Sequence, residues 1–450
     1  MTDTPSVTFP TDPGEQPILD KLLSIRDGLY LLKQDKSTYI RSKDAFSFYE
    51  QVTEQVKALN EVRGGKLPEQ EHNRVDYVLD DCFQLISLVF LTVGRNLEAP
   101  AVYSMASTVK RLLDHLKEAA FYSQKDLDSI AKTLLSMRET VERGKGAYAL
   151  DLVLHLDSRL SSCERILKQL QDDLAVISPE LVSTHETLVS ILRSTAAANT
   201  RSKFSSREVE SFKSQLLSIQ ATMQDGHFVA ADGSIPSGED IVRDLLHRCL
   251  GWCDTVLERQ GKIDERFQEA YDELVGIRNA LDKLSMTKAW SLRETDLYSY
   301  QRRLDRFDES RVNGNFLDAQ GRPADTHARR TLLYLIRRGY SLIYSALISS
   351  EPVSEALLPI YNQLQTLRKC LIQVKESGGV SNSRELYPYS MKLNSIDSMR
   401  VDGKFYVGDD IPEGQGSIND LLAQCYDLCY EIRADADEAA EAAEAASSTA

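Results

Sequence analysis

The chain has 450 residues, 53 Lys+Arg against 68 Asp+Glu, a formal charge of −15 and a hydrophobic share of 42%. That balance suits a folded, water-facing protein whose length exceeds what one compact core usually serves. It excludes a membrane span, since the best apolar run, Leu85 to Val93, is half of the roughly 18 residues needed, and the acidic field sets nucleic acid aside as a general partner.

The opening MTDTPSVTFPTDPGEQP has neither the basic start nor the apolar core of a signal peptide, and residues 1–16 read as a disordered tail. From there three markers recur with a period of about 85 residues. Residues 17–99 carry an aliphatic-basic pair, Ile25-Arg26, then a helix-start pair, Ser42/Asp44, then Gly65-Lys66-Leu67. Residues 100–178 repeat the order as Val109-Lys110, Ser123/Asp126 and Gly146-Ala147-Tyr148. Residues 179–263 have a weaker first marker, Leu192-Arg193, followed by Ser205/Glu208 and Gly226-His227-Phe228. Residues 264–351 give Ile277-Arg278, Ser291/Glu294 and Gly314-Asn315-Phe316; residues 352–433 give Leu367-Arg368, Asn382/Glu385 and Gly403-Lys404-Phe405. Residues 434–450 form an acidic, alanine-rich tail with no apolar stripe to dock it.

Each unit reads as a helix, a second helix opened by a cap and an acid, a glycine loop, and a third helix. The predicted fold is all-α, a tandem array of about five three-helix units, a helical repeat of solenoid-like character. Arrays of this kind present grooves to other macromolecules, a point taken from architecture alone.

Two groups of side chains have candidate chemistry. Cys249/Cys253 and Cys425/Cys429 are each four residues apart, so each pair shares a helix face and offers two sulfurs to a soft metal. Core packing is the favoured reading, because no further CxxC or HxxxH completes a zinc site. The other group is basic. Between Lys288 and Arg338 there are 11 basic and seven acidic residues. Arg302, Arg303 and Arg306 form one cluster, and Arg329, Arg330, Arg337 and Arg338 another. Guanidinium forks suit phosphate or carboxylate groups, although a solvated face paired with Asp305, Asp308 and Glu309 is the commoner outcome.

The glycine loops contain turn formers and no GxxxxGK[ST] or GxGxxG behind a strand; the seven histidines are isolated, and no G-x-S-x-G elbow occurs. No catalytic residue and no cofactor are expected. The run DGKFYVGDDIPEGQGSINDLL (402–422) resembles a fungal family of helical proteins catalogued as a domain of unknown function, over most of the chain except its tails. The resemblance implies a fungal protein of the cytoplasm, extending to the nucleus, with no catalytic residues to carry over. The expected function is a non-enzymatic scaffold or adaptor for another protein, with no membrane partner; the alternative is a metal-binding or stress-response protein using the paired cysteines.

Overall fold

The computed structural model describes residues 9–10, 12–64, 73–230, 233–291 and 293–448, except for the side chains of 287–291, 440 and 442–448. It is all-helical: among the described residues the only β-type pairings are isolated bridges in turns. The helices are α1 (Gln16–Gln34), α2 (Ser42–Val62), α3 (Arg74–Thr92), α4 (Val102–Ala119), α5 (Gln124–Arg143), α6 (Leu150–Ala175), α7 (Pro179–Asn199) and α8 (Ser206–Gln220). They continue as α9 (Glu239–Arg259), α10 (Gln268–Ser291), α11 (Leu297–Glu309), α12 (Thr326–Ile348), α13 (Leu358–Glu376), α14 (Tyr387–Asp397) and α15 (Gln415–Ser448).

Local chemistry explains many of the helix starts. At α5, Ser123 accepts from the Asp126 amide while Asp126 accepts from that of Ser123, at 3.3 and 2.8 Å, so two orphan donors are satisfied at once. Asp325 opens α12 by accepting from the Ala328 amide at 2.7 Å. At α2 the cap falls one residue early, on Arg41, whose amide donates to Asp44. Ser291 does not start a helix; it is the last residue of α10, and the next helical turn begins at Glu294.

The glycine loops are tight turns. Asp225-Gly226, Asn313-Gly314 and Asp402-Gly403 all have positive φ at both residues, 48° and 82°, 51° and 74°, 49° and 75°. Such pairs fit Asx-Gly steps, because glycine has no Cβ to clash and Asn or Asp tolerates the left-handed region. The aromatic two residues past each glycine, Phe228, Phe316 or Phe405, is buried. The corresponding Gly65-Lys66-Leu67 lies outside the described residues.

The chain divides into two compact units. One holds α4–α9, α10 to Met286, α11 and α12. Within it α4 packs on α5 and α6, α7 on α8 and α9, and α12 on α4, α7 and α11. Gly339 lets α12 approach α11, since a Cβ there would stand 2.8 Å from a Leu304 methyl.

The other unit joins the two ends of the chain: α1–α3 with α13–α15, together with the segment through Asp296. A solenoid-like array would leave its first and last units apart, so the architecture departs from that expectation. Arg293 ties this unit together, donating to Glu355 at 2.5 Å and to the carbonyls of Asp35 and Thr38. Glu355 in turn accepts from the Ile40 amide, and its own amide donates to the Thr92 carbonyl at the end of α3. Glu15 is buried and accepts from Arg63 and Asn73, and the residues from 434 to 448 continue α15. No helix among the described residues is long and apolar enough to cross a membrane; Leu85 to Val93 is buried instead.

Gly94 stands at the tightest contact of this unit. Its φ is +85°, and a Cβ would meet the Ser354 nitrogen at 2.6 Å. Gly94→Ala is expected to cost more than about 1 kcal/mol, since both the conformation and the space forbid it. Gly251→Ala, in an exposed turn of α9 with open space around it, is expected to stabilise by up to about 1 kcal/mol. Urea or thermal unfolding of the two variants should therefore move in opposite directions.

Candidate functional site

The seven arginines singled out in the sequence do not form one cluster. Arg302 lies 3.8 Å from Asp305, and Arg303 donates to Glu273 at 2.9 Å. Arg338 donates to Asp282 at 3.2 Å, while Arg306 and Arg329 are exposed. Most of the acids expected to neutralise this face are engaged elsewhere. Arg111 of α4 takes Glu309 at 2.7 Å and lies 3.5 Å from both Asp305 and Asp308. Tyr340 donates to Asp305 at 2.6 Å, and His115 lies 3.2 Å from Asp308. Burial works against the Asp308 charge, yet His115 and Arg311 hold its carboxyl below the usual range.

Arg330 and Arg337 are different. They stand seven residues apart on α12 and therefore on one face. Arg330 lies over the Trp252 ring at 5.5 Å, and Arg337 over the Phe121 ring at 5.8 Å. Arg248 of α9, which the sequence reading passed over, reaches the same Phe121 ring at 6.0 Å. It also donates to the carbonyls of Ala119 and Ala120 at the end of α4, a site that favours a cation. Its only sequence signal is its place four residues before Trp252, which puts both on one side of α9.

No carboxylate closes on Arg330 among the described residues, and the Arg337 Nε is buried with no hydrogen-bond partner. Burial, with Arg248 and Arg329 nearby, lowers the Arg330 pKa; burial brings Arg337 to about 10, with Arg311 and Arg248 adding to the effect and Glu118 opposing it. Glu118 is itself bound by Arg311 at 2.7 Å. The result is a group of guanidiniums that rest on aromatic faces and keep most of their donors unused among the described residues.

The cysteines occupy core positions. Cys249 donates to the Leu188 carbonyl at 3.6 Å and Cys425 to that of Leu364 at 3.5 Å. Cys82 and Cys163 make the same kind of contact, to the carbonyls of Leu22 and Ala106 at 3.6 and 4.0 Å. Burial pushes the Cys249 thiol up to about 12 and that of Cys425 to about 11, and raises Cys253 and Cys429 as well. These sulfurs are therefore thiols at neutral pH, whereas a metal takes the thiolate. Among the described residues no group of three or more His, Cys, Asp or Glu could hold a metal ion.

The repeated basic residues of the first helices make local tethers. Arg193 donates to Asp126 at 2.6 Å, inside the cap of α5, and Arg278 to the Thr200 carbonyl at 3.0 Å. Arg26 lies 3.7 Å from Asp81 of α3.

Comparisons with known proteins place relatives around this geometry. A family model described as a protein of unknown function, DUF2408, matches residues 174–294 and 351–449. A CUB1 family protein of Schizosaccharomyces pombe is 37% identical over 444 residues, spanning 96% of this chain and 95% of its own. The Cu(2+) suppressing and bleomycin sensitive protein 1 of Saccharomyces cerevisiae is 35% identical over 512 residues, spanning 95% of this chain and 91% of its own. No solved structure matches the chain.

The thiol environments give a direct expectation. Six cysteines are buried and Cys370 is exposed, so a thiol reagent such as Ellman's should titrate one cysteine per chain in the native protein and all seven in denaturant. Rapid native reaction of Cys249 or Cys425 would contradict the core assignment.

Proposed function

This chain belongs to the CUB1 family of fungal proteins, and we propose that it is a non-enzymatic, intracellular helical scaffold or adaptor that docks another protein. The observation that carries this reading is the unneutralised arginine face of α9 and α12 within a chain of net charge −15. A fixed cationic patch on an otherwise acidic molecule steers and orients an acidic partner, and suppresses others by like-charge repulsion. The cytoplasm, extending to the nucleus, is the proposed location.

The scaffold reading includes a repeat, with units at 17–99, 100–178, 179–263, 264–351 and 352–433. Three observations support it. The thiols of Cys82, Cys163, Cys249 and Cys425 all run from the third helix of a unit to the first. The Asx-Gly turn and buried phenylalanine recur ahead of α9, α12 and α15. One family model matches two separate stretches of the chain.

A second reading comes from the name of the S. cerevisiae relative, which mentions Cu(2+). Soft sulfur ligands on this chain would be Cys249/Cys253 and Cys425/Cys429, and copper(I) accepts two. Their burial as thiols favours packing over coordination. Metal analysis of protein purified under reducing conditions separates the two readings. Stoichiometric copper or zinc that disappears in Cys249→Ser/Cys253→Ser would favour the metal reading. The scaffold reading expects instead that full-length protein, captured from fungal cells, retains a defined set of acidic partners that Arg330→Glu/Arg337→Glu loses while its thermal unfolding stays cooperative. An unchanged set would overturn it.

A further inference from the structure

The arginine face has a finer chemistry than general acidity. We propose that Arg248, Arg330 and Arg337, set against Phe121 and Trp252, form a binding site for the phosphate of a phosphorylated serine or threonine in a partner protein. The inference rests on the scaffold reading and names the group that the scaffold takes.

The donor inventory comes first. A guanidinium carries five N–H donors. Arg248 spends two, on the Ala119 and Ala120 carbonyls, at 2.8 and 3.3 Å. Arg330 spends none on the described residues, and the Nε of Arg337 has no acceptor. A carboxylate brings two oxygens and one charge, enough for a single fork; a phosphomonoester brings three oxygens and close to two charges. Several unspent forks on one face match the second better.

Placement favours a single compact dianion. Arg248 and Arg337 share the Phe121 ring, and Arg330 lies further along the same face of α12, over Trp252. All three lie over aromatic rings at 5.5 to 6.0 Å, and Arg248 is pinned further by backbone carbonyls. Side chains already held in place lose little entropy when an anion arrives. Mutual repulsion among the three is a cost in the empty site that a dianion removes. The acids that act on Arg337, Glu118 and Asp308, are both bound by Arg311. Phe121, partly buried against the core, supplies apolar ground beside the phosphate, and the buried Trp252 lies beneath Arg330.

Nucleic acid fits less well. A strand needs a track of cations, because its affinity comes from many phosphates in a row, and this chain is acidic beyond the patch. Three arginines on one face make no such track.

The test uses the full-length protein with Trp290→Phe, which leaves Trp252 as the sole indole and hence as a reporter inside the site. The probes are a fluorescein-labelled peptide pool of random sequence around one phosphoserine, the same pool with serine, the same pool with aspartate, inorganic phosphate, and a single-stranded RNA of about 20 nucleotides. The phosphorylated pool is expected to bind at least tenfold more tightly than either other pool and to change Trp252 fluorescence. Millimolar inorganic phosphate should compete. Arg330→Gln and Arg337→Gln should each weaken binding at least fivefold, Arg330→Lys less so, and Arg303→Gln not at all. Each variant's thermal unfolding is recorded, so that lost binding is read only from folded protein. Equal binding of the aspartate and phosphoserine pools through Arg330 would overturn the phosphate assignment and leave an acidic-partner scaffold standing. Preference for RNA over every peptide pool would also overturn it. If no pool binds and the set captured from cells is unchanged by Arg330→Glu/Arg337→Glu, both this site and the scaffold reading fall.

Discussion

Much of the helical packing depends on four pairs of helices, each separated in sequence by one intervening helix: α3 on α1, α6 on α4, α9 on α7, α15 on α13. At each of these four contacts a cysteine sits where the helices meet, its thiol directed at a backbone carbonyl of the facing helix. The sulfur–carbonyl interaction is weak, and its strength is not the reason for the residue. A small, polarisable side chain lets two helices close, and its weak S–H donor still has an acceptor once water is gone. A leucine there would force the pair apart, and a serine would bury a stronger dipole with the same single acceptor. Cys249 and Cys425 therefore make the same kind of contact as the unpaired Cys82 and Cys163, which accounts for one member of each pair.

The packing of α12 differs, and the difference positions the arginines. No cysteine occurs in α12, and α12 packs on α11, α4 and α7. Leu304 fills the notch left by Gly339, which fixes the rotation of α12 against α11. With that rotation set, Arg330 meets Trp252 of α9 and Arg337 meets Phe121 beyond α4. The same contact draws the α11 acids toward Arg111 and His115. Charge compensation on one side of α11 thus leaves the outer arginines of α12 without it.

Much of the helical order was legible in the sequence because its causes are local. Ser123/Asp126 caps a helix wherever it occurs, and Asp-Gly or Asn-Gly turns need only the dihedral freedom of two residues. Ser291 failed as a start because α10 runs on to that residue, where continued helix prevailed over a cap. The joining of the chain's two ends was not legible. It rests on Arg293 and Glu355, 62 residues apart, and on glycines at 94 and 414 that both press on Val353; none of these has a neighbour pattern that marks it. Of the arginine face, the sequence showed Arg330 and Arg337 through their spacing but counted their neighbouring acids as partners. Which acid pairs with which base is decided by helix rotation, and composition carries no record of that.

A cluster of like charges needs a structural reason to persist. For Arg248 it is the end of α4, where the carbonyls of Ala119 and Ala120 accept from it and the helix dipole is negative. For Arg330 and Arg337 it is the aromatic faces, which offer a quadrupole in place of a counter-ion. Both devices hold a guanidinium without consuming its charge, as an ion pair would. An aspartate at any neighbouring exposed position would satisfy the arginines more fully and would also abolish the field they project. The acids of α11 lie close in sequence and are turned inward to Arg111, so the positive face is a product of how α11 and α12 are rotated together. A substitution that rotates α12, such as filling the notch at Gly339, would therefore disturb this face without touching one of its arginines.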